Sequence, residues 1–236
     1  MNNSYNERSM KIIDLKKTIL EDNDADADRL REELKKKNVF YMNVMSSPGS
    51  GKTTTIVGTI ERLRKHFNIG VMEADIDSDV DALTVAKAGV PAVQLHTGGM
   101  CHLDADMSRQ GMAALEAEAD NALGFIILEN VGNLVCPAEF DTGACLNVAI
   151  LSVPEGDDKP LKYPLMFEKC QAVIINKIDS MPAFDFDMDR VKDNIAMRNP
   201  EAVFFPVSAR TGEGMDAWCE WLKDNVAQYL GENQNG

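Results

Sequence analysis

Ten residues in the first quarter of the sequence, SSPGSGKTTT, have the types and spacing that bind a phosphate group. They match the template G-x-x-x-x-G-K-[ST] at Gly51, Lys52 and Thr53, although Ser46 stands where the template has its first glycine. The glycines let successive backbone N–H groups turn toward one anion, while the lysine adds a positive charge and the threonine a hydroxyl for Mg²⁺. An apolar run precedes the loop and a helix-like run follows it, so a helix N-terminus would face the anion. This context favours a phosphate-binding loop over a flexible turn.

A second motif, N-K-x-D at Asn176, Lys177 and Asp179, follows the apolar run AVII. A carboxylate at Asp179 can accept hydrogen bonds from the N1–H and 2-amino groups of guanine, whereas adenine has no such pair of donors. Four residues alone are a weak signal, but after a phosphate-binding loop they favour GTP over ATP. The later stretch PVSARTGEG resembles the S-A-K loop that completes a guanine pocket, with Arg210 in place of lysine.

Two acidic residues end predicted strands, Asp75 in VMEAD and Glu129 in FIILE. Each could hold Mg²⁺ directly or through water, or be an ordinary solvated loop acid. The stretch from Glu129 to Gly132 has the spacing of a D-x-x-G switch loop with Glu in place of Asp. Because Gly132 has no Cβ, its backbone N–H could approach a γ-phosphate, and we expect this loop to sense GTP.

Together these motifs predict a site for GTP and Mg²⁺ that hydrolyses GTP to GDP and phosphate. The residues expected to take part in catalysis are Lys52, Thr53, Asp75 and Glu129, of which the last three would hold Mg²⁺. The residues expected to contact the nucleotide are Gly49, Ser50, Gly51, Lys52, Thr53, Thr54, Gly132, Asn176, Lys177, Asp179, Ser208, Ala209 and Arg210.

Sulfur and imidazole side chains indicate a second kind of site. Cys101 and His102 are adjacent in TGGMCHLDADM, and Cys136 lies in ENVGNLVCPAEFD. Thiolate and imidazole together suit zinc or nickel far better than Mg²⁺. An adjacent Cys-His pair alone is more often a buried thiol beside a surface imidazole, but two loops that follow strands of one sheet could meet. Three ligands would leave one coordination position open, or let a symmetric partner complete the site.

Cys136 lies only four residues beyond Gly132. If contact with the γ-phosphate fixes Gly132, hydrolysis should release the segment that carries the thiol, so that metal affinity and nucleotide state become linked. The other cysteines, Cys145, Cys170 and Cys219, lie in strand or helix patterns and are expected in the core. We expect His66 and His96 to be structural or exposed.

Apolar runs that alternate with helical patterns predict the elements that position these loops. Strands are expected at 39–45, 69–75, 92–96, 124–131, 146–153, 171–177 and 202–208, and helices at 52–67, 79–88, 104–121, 185–198 and 214–230. This order predicts an α/β fold of the P-loop NTPase type, a mostly parallel twisted sheet with helices on both faces. Ligands of such sheets bind at the carboxyl ends of the strands.

The composition of the chain argues against some classes of binding partner. A formal net charge of −14 opposes binding to nucleic acid or to anionic lipid. No apolar run approaches the roughly 20 residues of a membrane span, and no signal-peptide core is visible, so we expect a cytoplasmic protein without membrane insertion. Five scattered cysteines do not suit a disulfide framework.

Three segments are expected along the chain. Residues 1–38, with nine acids and nine bases, predict one or two amphipathic helices, frayed at EDNDADAD, that either pack on the domain or dock another protein. Residues 39–230 should form the GTPase domain with the metal site, and 231–236 a polar tail. The first segment has no Cys or His, so it should not store a soft metal.

Several motifs resemble those of the nickel-incorporation GTPases of hydrogenase maturation, the HypB family within the SIMIBI class of P-loop GTPases. The similarity extends from about Asn43 to Leu222, through SSPGSGKT, EADIDSDVDA, TGGMCHLDA, ENVGNLVCP, NKID and SARTGEGMDAW. CHLDA with GNLVCP is the specific part, since the related urease-accessory GTPases have a Cys-Pro-His arrangement that is absent here.

The resemblance implies a slow GTPase that forms a homodimer on binding GTP and that binds Ni²⁺ or Zn²⁺ at Cys101, His102 and Cys136. It also implies delivery of nickel to the [NiFe]-hydrogenase large-subunit precursor, together with a small zinc-binding partner. Some family members carry an N-terminal Cys motif or His-rich stretch for tight nickel binding, and this sequence has neither.

Alternatives to a hydrogenase-maturation GTPase come from the same class and from different classes. One is a urease-accessory type of nickel GTPase, and another is a metal-binding scaffold whose nucleotide site is structural. A third is a P-loop kinase that acts on a small molecule, although the N-K-x-D motif argues against it.

Overall fold

The computed structural model describes residues 15–75 and 88–232. Within them, seven parallel strands form one sheet in the order β3-β2-β4-β1-β5-β6-β7. The strands are β1 Phe40–Ser46, β2 Ile69–Asp75, β3 Ala92–His96, β4 Phe125–Glu129, β5 Leu146–Ser152, β6 Ala172–Asn176 and β7 Val203–Pro206. All seven predicted strands and the α/β fold class are confirmed.

The helices connect these strands. They are α1 Leu15–Lys37, α2 Lys52–Leu63, α3 Ala105–Glu118, α4 Cys136–Glu139, α5 Lys159–Lys162, α6 Pro164–Lys169, α7 Met188–Ala196 and α8 Met215–Glu232, with 3₁₀ turns at Val153–Glu155 and Ile178–Ala183. The predicted helix at 79–88 lies outside the described residues except for residue 88, which is in a turn. The short α4, α5 and α6 were missed because four to six residues carry no clear helical periodicity.

The strands read as continuous apolar runs because the sheet is buried on both faces. In β1, Met42 and Val44 belong to a core cluster on one face, which also contains residues of α2 and α8. Tyr41 and Met45, which alternate with them, belong to two other clusters, with residues of α1 and α3 in one and of α6 and α7 in the other. Helices therefore cover both faces of the sheet. Because the strands are parallel, their carboxyl ends lie at the same edge.

The predicted N-terminal extension packs on the domain through α1. Ala27, Leu30 and Leu34 are buried, and the last two share a core cluster with Leu103, which follows the predicted metal ligand His102. The expectation of fraying at EDNDADAD is wrong, because the helix is continuous there. Its acidic residues face outward or pair with arginines, as Asp26 does with Arg109 at 2.9 Å.

The division of the chain into extension, GTPase domain and tail stays a prediction. The last helix continues to Glu232, so the first two residues of the predicted polar tail are helical. Across residues 15–75 and 88–232, every helix is too short or too polar to cross a membrane.

Candidate nucleotide pocket and metal centre

The phosphate-binding loop connects β1 to the N-terminus of α2, as the sequence predicts. Gly49 and Gly51 have φ angles of +74° and +94°, a region that side-chain-bearing residues rarely adopt. Lys52 is buried and donates from Nζ to the hydroxyl oxygen of Ser46 at 3.0 Å, and Ser50 donates to the same oxygen at 2.6 Å. Ser46, which stands in place of the first glycine of the template, therefore has a role, because its hydroxyl accepts a hydrogen bond from Lys52.

The N-K-x-D motif contacts the phosphate-binding loop directly. Asn176 donates from Nδ2 to the carbonyl oxygen of Ser50 at 2.9 Å and accepts at Oδ1 from the N–H of Ala209 at 3.1 Å. Lys177 donates from Nζ to the carbonyl oxygen of Gly49 at 2.6 Å. A Cβ on Gly51 would lie 2.5 Å from Nδ2 of Asn176, so the fit between the two motifs requires glycine there.

Asp179 is held as an anion at the far end of the motif. It accepts from the hydroxyl of Ser208 at 2.6 Å and pairs with Arg210 at 2.8 Å. The hydrogen bond from Ser208 lowers the pKa of Asp179 most strongly, and the charge of Arg210 adds to the effect against the cost of desolvation. A carboxylate that stays ionised is the acceptor that guanine would need. The arginine that replaces the expected lysine thus contacts the predicted guanine-binding carboxylate.

The candidate magnesium ligands are partly assembled. Thr53, at the start of α2, donates from its hydroxyl to a carboxylate oxygen of Glu129 at 2.8 Å. Glu129 is 4% exposed at the end of β4. The backbone of Asp75 ends β2, but its side chain lies outside the described residues. A hydroxyl and a buried carboxylate at this distance fit the hard oxygen donors that Mg²⁺ prefers.

A further carboxylate in this pocket was missed from the sequence. Glu73 of β2 is 2% exposed and lies opposite Glu129 in the strand register. It lines a cavity of about 570 Å³ together with the phosphate-binding loop, including Thr54, and with Gly132 and Lys177. The sequence did contain a signal for Glu73, which is a glutamate inside an otherwise apolar strand. A carboxylate is seldom buried in such a strand without a function or a partner.

The predicted switch loop lies against the phosphate-binding loop. A Cβ on Gly132 would approach both the ring and the backbone nitrogen of Pro48 to 3.1 Å. The side chain of Asn130 is fully buried, accepts from the N–H of Val131 at 2.9 Å and donates to Asn43 at 3.0 Å. The loop therefore has one anchored end in the sheet and a glycine beside the site expected for phosphate.

The structure brings the three predicted metal ligands together. One ligand atom each of Cys101, His102 and Cys136 lies within 4.8 Å of the others, and the two Sγ atoms are 2.7 Å apart. Cys136 begins the short helix α4, and His102 stacks on Phe140 with ring centroids 3.6 Å apart. Nδ1 of His102 is buried and has no hydrogen-bond partner among the described residues. Two sulfurs and an imidazole with an unpaired nitrogen fit a soft or borderline cation such as Zn²⁺ or Ni²⁺.

Burial also adjusts protonation at this cluster. It lowers the pKa of His102, against the nearby charges of Asp104 and Glu139, so the imidazole is neutral and able to bind a metal at pH 7. The hydrogen bond with Cys101, followed by burial, raises the pKa of Cys136. The thiol of Cys136 therefore keeps its proton until a cation displaces it.

The remaining cysteines and histidines agree with expectation. Cys170 and Cys219 are buried in the core, and Cys145 is partly buried with its thiol donating to the carbonyl oxygen of Tyr41 at 3.2 Å. His66 and His96 are exposed.

Comparison with known proteins adds independent findings. The profile of the family described as CobW/HypB/UreG, nucleotide-binding domain, matches residues 40–206. The hydrogenase maturation factor HypB of Azotobacter chroococcum is 46% identical over 213 residues, which cover 90% of this chain and 69% of that protein. The hydrogenase/urease maturation factor HypB of Helicobacter hepaticus is 40% identical over 238 residues, covering 97% of each.

A solved structure has the same fold. The crystal structure of HypB from Helicobacter pylori in complex with nickel is 39% identical to this chain, with a TM-score of 0.83. The match covers 89% of this chain and 97% of that one.

Proposed function

Because the chain belongs to the HypB family of hydrogenase maturation factors, we propose that it is a GTP-hydrolysing metallochaperone. It binds nickel, or zinc, and couples the binding and hydrolysis of GTP to nickel insertion into the [NiFe]-hydrogenase large-subunit precursor. The observation that carries this proposal is the cluster of Cys101, His102 and Cys136 within 4.8 Å, in which Cys136 lies four residues after Gly132 of the nucleotide pocket.

The preference for GTP rests on Asp179. Its carboxylate accepts hydrogen bonds from the N1–H and 2-amino groups of guanine, and Ser208 and Arg210 orient it. Asn176 connects this end of the pocket to the phosphate-binding loop through Ser50. Adenine would leave the carboxylate without a matching pair of donors, so ATP is disfavoured at this end.

Hydrolysis depends on charge at the other end of the pocket. Water attacks the γ-phosphorus and GDP leaves, so the groups around the phosphates must stabilise negative charge as it shifts to the leaving oxygen. Lys52 supplies a positive charge there, and the backbone N–H groups of Gly49, Ser50, Gly51 and Thr54 bind phosphate oxygens. Thr53 and Glu129 would hold Mg²⁺, which would offset charge on the β- and γ-phosphates, and Asp75 is a further candidate ligand.

The two sites are coupled through the segment from Gly132 to Cys136. Gly132 lies against Pro48 of the phosphate-binding loop, so its backbone is next to the position of the γ-phosphate. Loss of that phosphate releases Gly132, and Cys136 lies only four residues further along the chain. The thiol then moves relative to Cys101 and His102, and metal binding weakens.

Three ligands and an apolar rim support a dimer that forms with GTP. Met100 and Val135, which precede Cys101 and Cys136, are 42% and 48% exposed. A second copy placed on this face would cover both side chains and close the open coordination position. Transfer then proceeds to a small zinc-binding partner and to the hydrogenase precursor. We place this activity in the cytoplasm, where free thiols stay reduced.

One comparison favours a second protein as the recipient of the nickel. The Helicobacter hepaticus relative is named as a hydrogenase/urease maturation factor and matches 97% of this chain. Delivery of nickel to a urease is therefore our second candidate function for the same metal site.

The coupling predicts that the Ni(II) dissociation constants of the forms loaded with a GTP analogue and with GDP differ by at least about fivefold. Competition titration at matched pH measures both constants, and native mass with metal analysis shows whether the GTP form is the dimer. Cys136→Ala is the site control, because it should weaken metal binding while sparing GTP binding.

Several outcomes would contradict the proposal. Equal dissociation constants in the two nucleotide states would refute the coupling. GTP turnover at background rate, unaffected by Lys52→Ala, would instead favour a metal-binding scaffold with a structural nucleotide site. Transfer of phosphate to a small acceptor would favour a kinase.

A further inference from the structure

One side chain of α1 joins the two segments that carry the candidate metal ligands. Asn23 donates from Nδ2 to the carbonyl oxygen of Asp141 at 3.0 Å, and its Oδ1 accepts from the N–H of Ala105 at 3.0 Å. Ala105 is the first residue of α3, three residues after His102. Asp141 directly follows Phe140, whose ring stacks on His102. A single carboxamide thus bridges the Cys101–His102 segment and the segment that begins at Cys136.

A carboxamide suits this position because it is both donor and acceptor. The N–H of Ala105 is one of the first donors of a helix, which have no partner inside the helix. The side chain of Asp104 caps the N–H of Met107 instead, at 2.8 Å. Ala105 is fully buried, so water does not replace Asn23 as its partner.

Other contacts of α1 hold the second segment against the helix. Arg31 donates from Nη2 to both carboxylate oxygens of Asp141, at 2.5 and 2.6 Å, and from Nε to the carbonyl oxygen of Ala144 at 3.1 Å. A Cβ on Gly143 would lie 2.8 Å from Leu30, so the loop has no room to move toward α1. The helix therefore forms a fixed reference for the loop that follows α4.

We propose that Asn23 is a positioning residue for the metal site, which sets the separation between the two ligand-bearing segments. This inference rests on the proposed function, because it assumes that Cys101, His102 and Cys136 bind the metal. Metal–ligand distances in well-formed sites lie within about 0.2 Å of standard values. Groups that orient ligands without touching the metal typically change affinity by roughly 10- to 100-fold when they are removed.

The test compares three variants of the full-length protein. Asn23→Ala removes both hydrogen bonds and should weaken Ni(II) binding about tenfold or more, with a weaker or shifted thiolate-to-nickel charge-transfer band. Asn23→Asp keeps the acceptor for Ala105 but loses the donor to Asp141, so its Ni(II) affinity should be intermediate. Ni(II) and Zn(II) dissociation constants come from competition with a chromophoric chelator, and the affinity for a GTP analogue should not change.

Asp26→Ala is the matched control, since it lies one turn further along α1. It removes the pairing with Arg109 of α3, at 2.9 and 3.1 Å, without touching Ala105 or Asp141. Its Ni(II) affinity and charge-transfer band should stay within about twofold of the wild type, whatever its melting temperature, because a roughly tenfold or larger loss is expected only where a ligand-orienting group is removed.

The outcomes separate the inference from the proposed function. Unchanged Ni(II) affinity in Asn23→Ala, or an equal loss in Asp26→Ala, would overturn the positioning role of Asn23. If wild-type protein takes up no stoichiometric Ni(II), or if Cys101→Ser binds it equally well, the proposed metal site fails, and the inference fails with it.

Discussion

Gly51→Ala should destabilise the fold much more than Gly49→Ala, although both glycines have positive φ angles. At +94° and +74°, each substitution costs roughly 1–2 kcal/mol in backbone strain. A methyl group added to Gly49 would have no atom within 4 Å, but on Gly51 it would lie 2.5 Å from Nδ2 of Asn176. That nitrogen donates to the carbonyl oxygen of Ser50 at 2.9 Å, and a buried donor without a partner costs about 1–3 kcal/mol.

The expected losses in free energy of unfolding are therefore about 1–2 kcal/mol for Gly49→Ala and about 2–5 kcal/mol for Gly51→Ala. Urea denaturation without nucleotide, followed by far-UV circular dichroism, measures both losses from the midpoints at a shared slope. Equal losses would mean that Asn176 moves aside at no cost. The inferred tight fit between the phosphate-binding loop and the N-K-x-D motif would then be wrong.

Two further predictions concern protonation and base recognition. Asp179→Asn should weaken GTP binding by roughly 10- to 100-fold, because it removes hydrogen bonds to a charged group. The variant should partly bind xanthosine triphosphate instead, because the 2-oxo group of that base accepts a hydrogen bond from an amide. Unchanged GTP affinity by fluorescence titration would exclude Asp179 from the pocket. Because the pKa of Cys136 is raised, Ni(II) must displace a proton there. Between about pH 7 and 8, the Ni(II) affinity of the wild type should therefore rise more steeply than that of Cys136→Ala, by up to about tenfold more per pH unit, and equal slopes would exclude Cys136 as a ligand.

The fold could be predicted from the sequence almost completely, because each strand is an apolar run of five to seven residues between turn signals. Only β7, with four residues, is shorter. Besides the short helices α4, α5 and α6, which were missed, the misjudged element was α1. Its run of acidic residues suggested fraying, but local sequence cannot show that Arg109, on a distant helix, pairs with Asp26. Tertiary contacts of this kind override local preference.

Some residues of the candidate site could likewise be predicted from the sequence, and others could not. Lys52, Asn176 and Asp179 could be found because fixed spacings within one loop determine their geometry. The convergence of Cys101 with Cys136 could be inferred because both follow strands that end at one edge of the sheet. Asn23 could not be found, since nothing in α1 shows that its carboxamide reaches two loops more than 80 residues away in sequence.

The proposed coupling requires only a small movement. Four residues span at most about 14 Å, and the segment between Gly132 and Cys136 is further restrained because Leu134 is buried in a core cluster with residues of α6 and α7. Metal–thiolate distances lie within about 0.2 Å of about 2.3 Å, so a shift of about 1 Å at Cys136 is enough to weaken the bond. Because Asn23 ties both Ala105 and Asp141 to α1, a shift confined to the start of α4 changes the separation of the ligands rather than moving all three together. A rigid reference on one side and a nucleotide-dependent segment on the other are what a metal site needs to release its ion on hydrolysis.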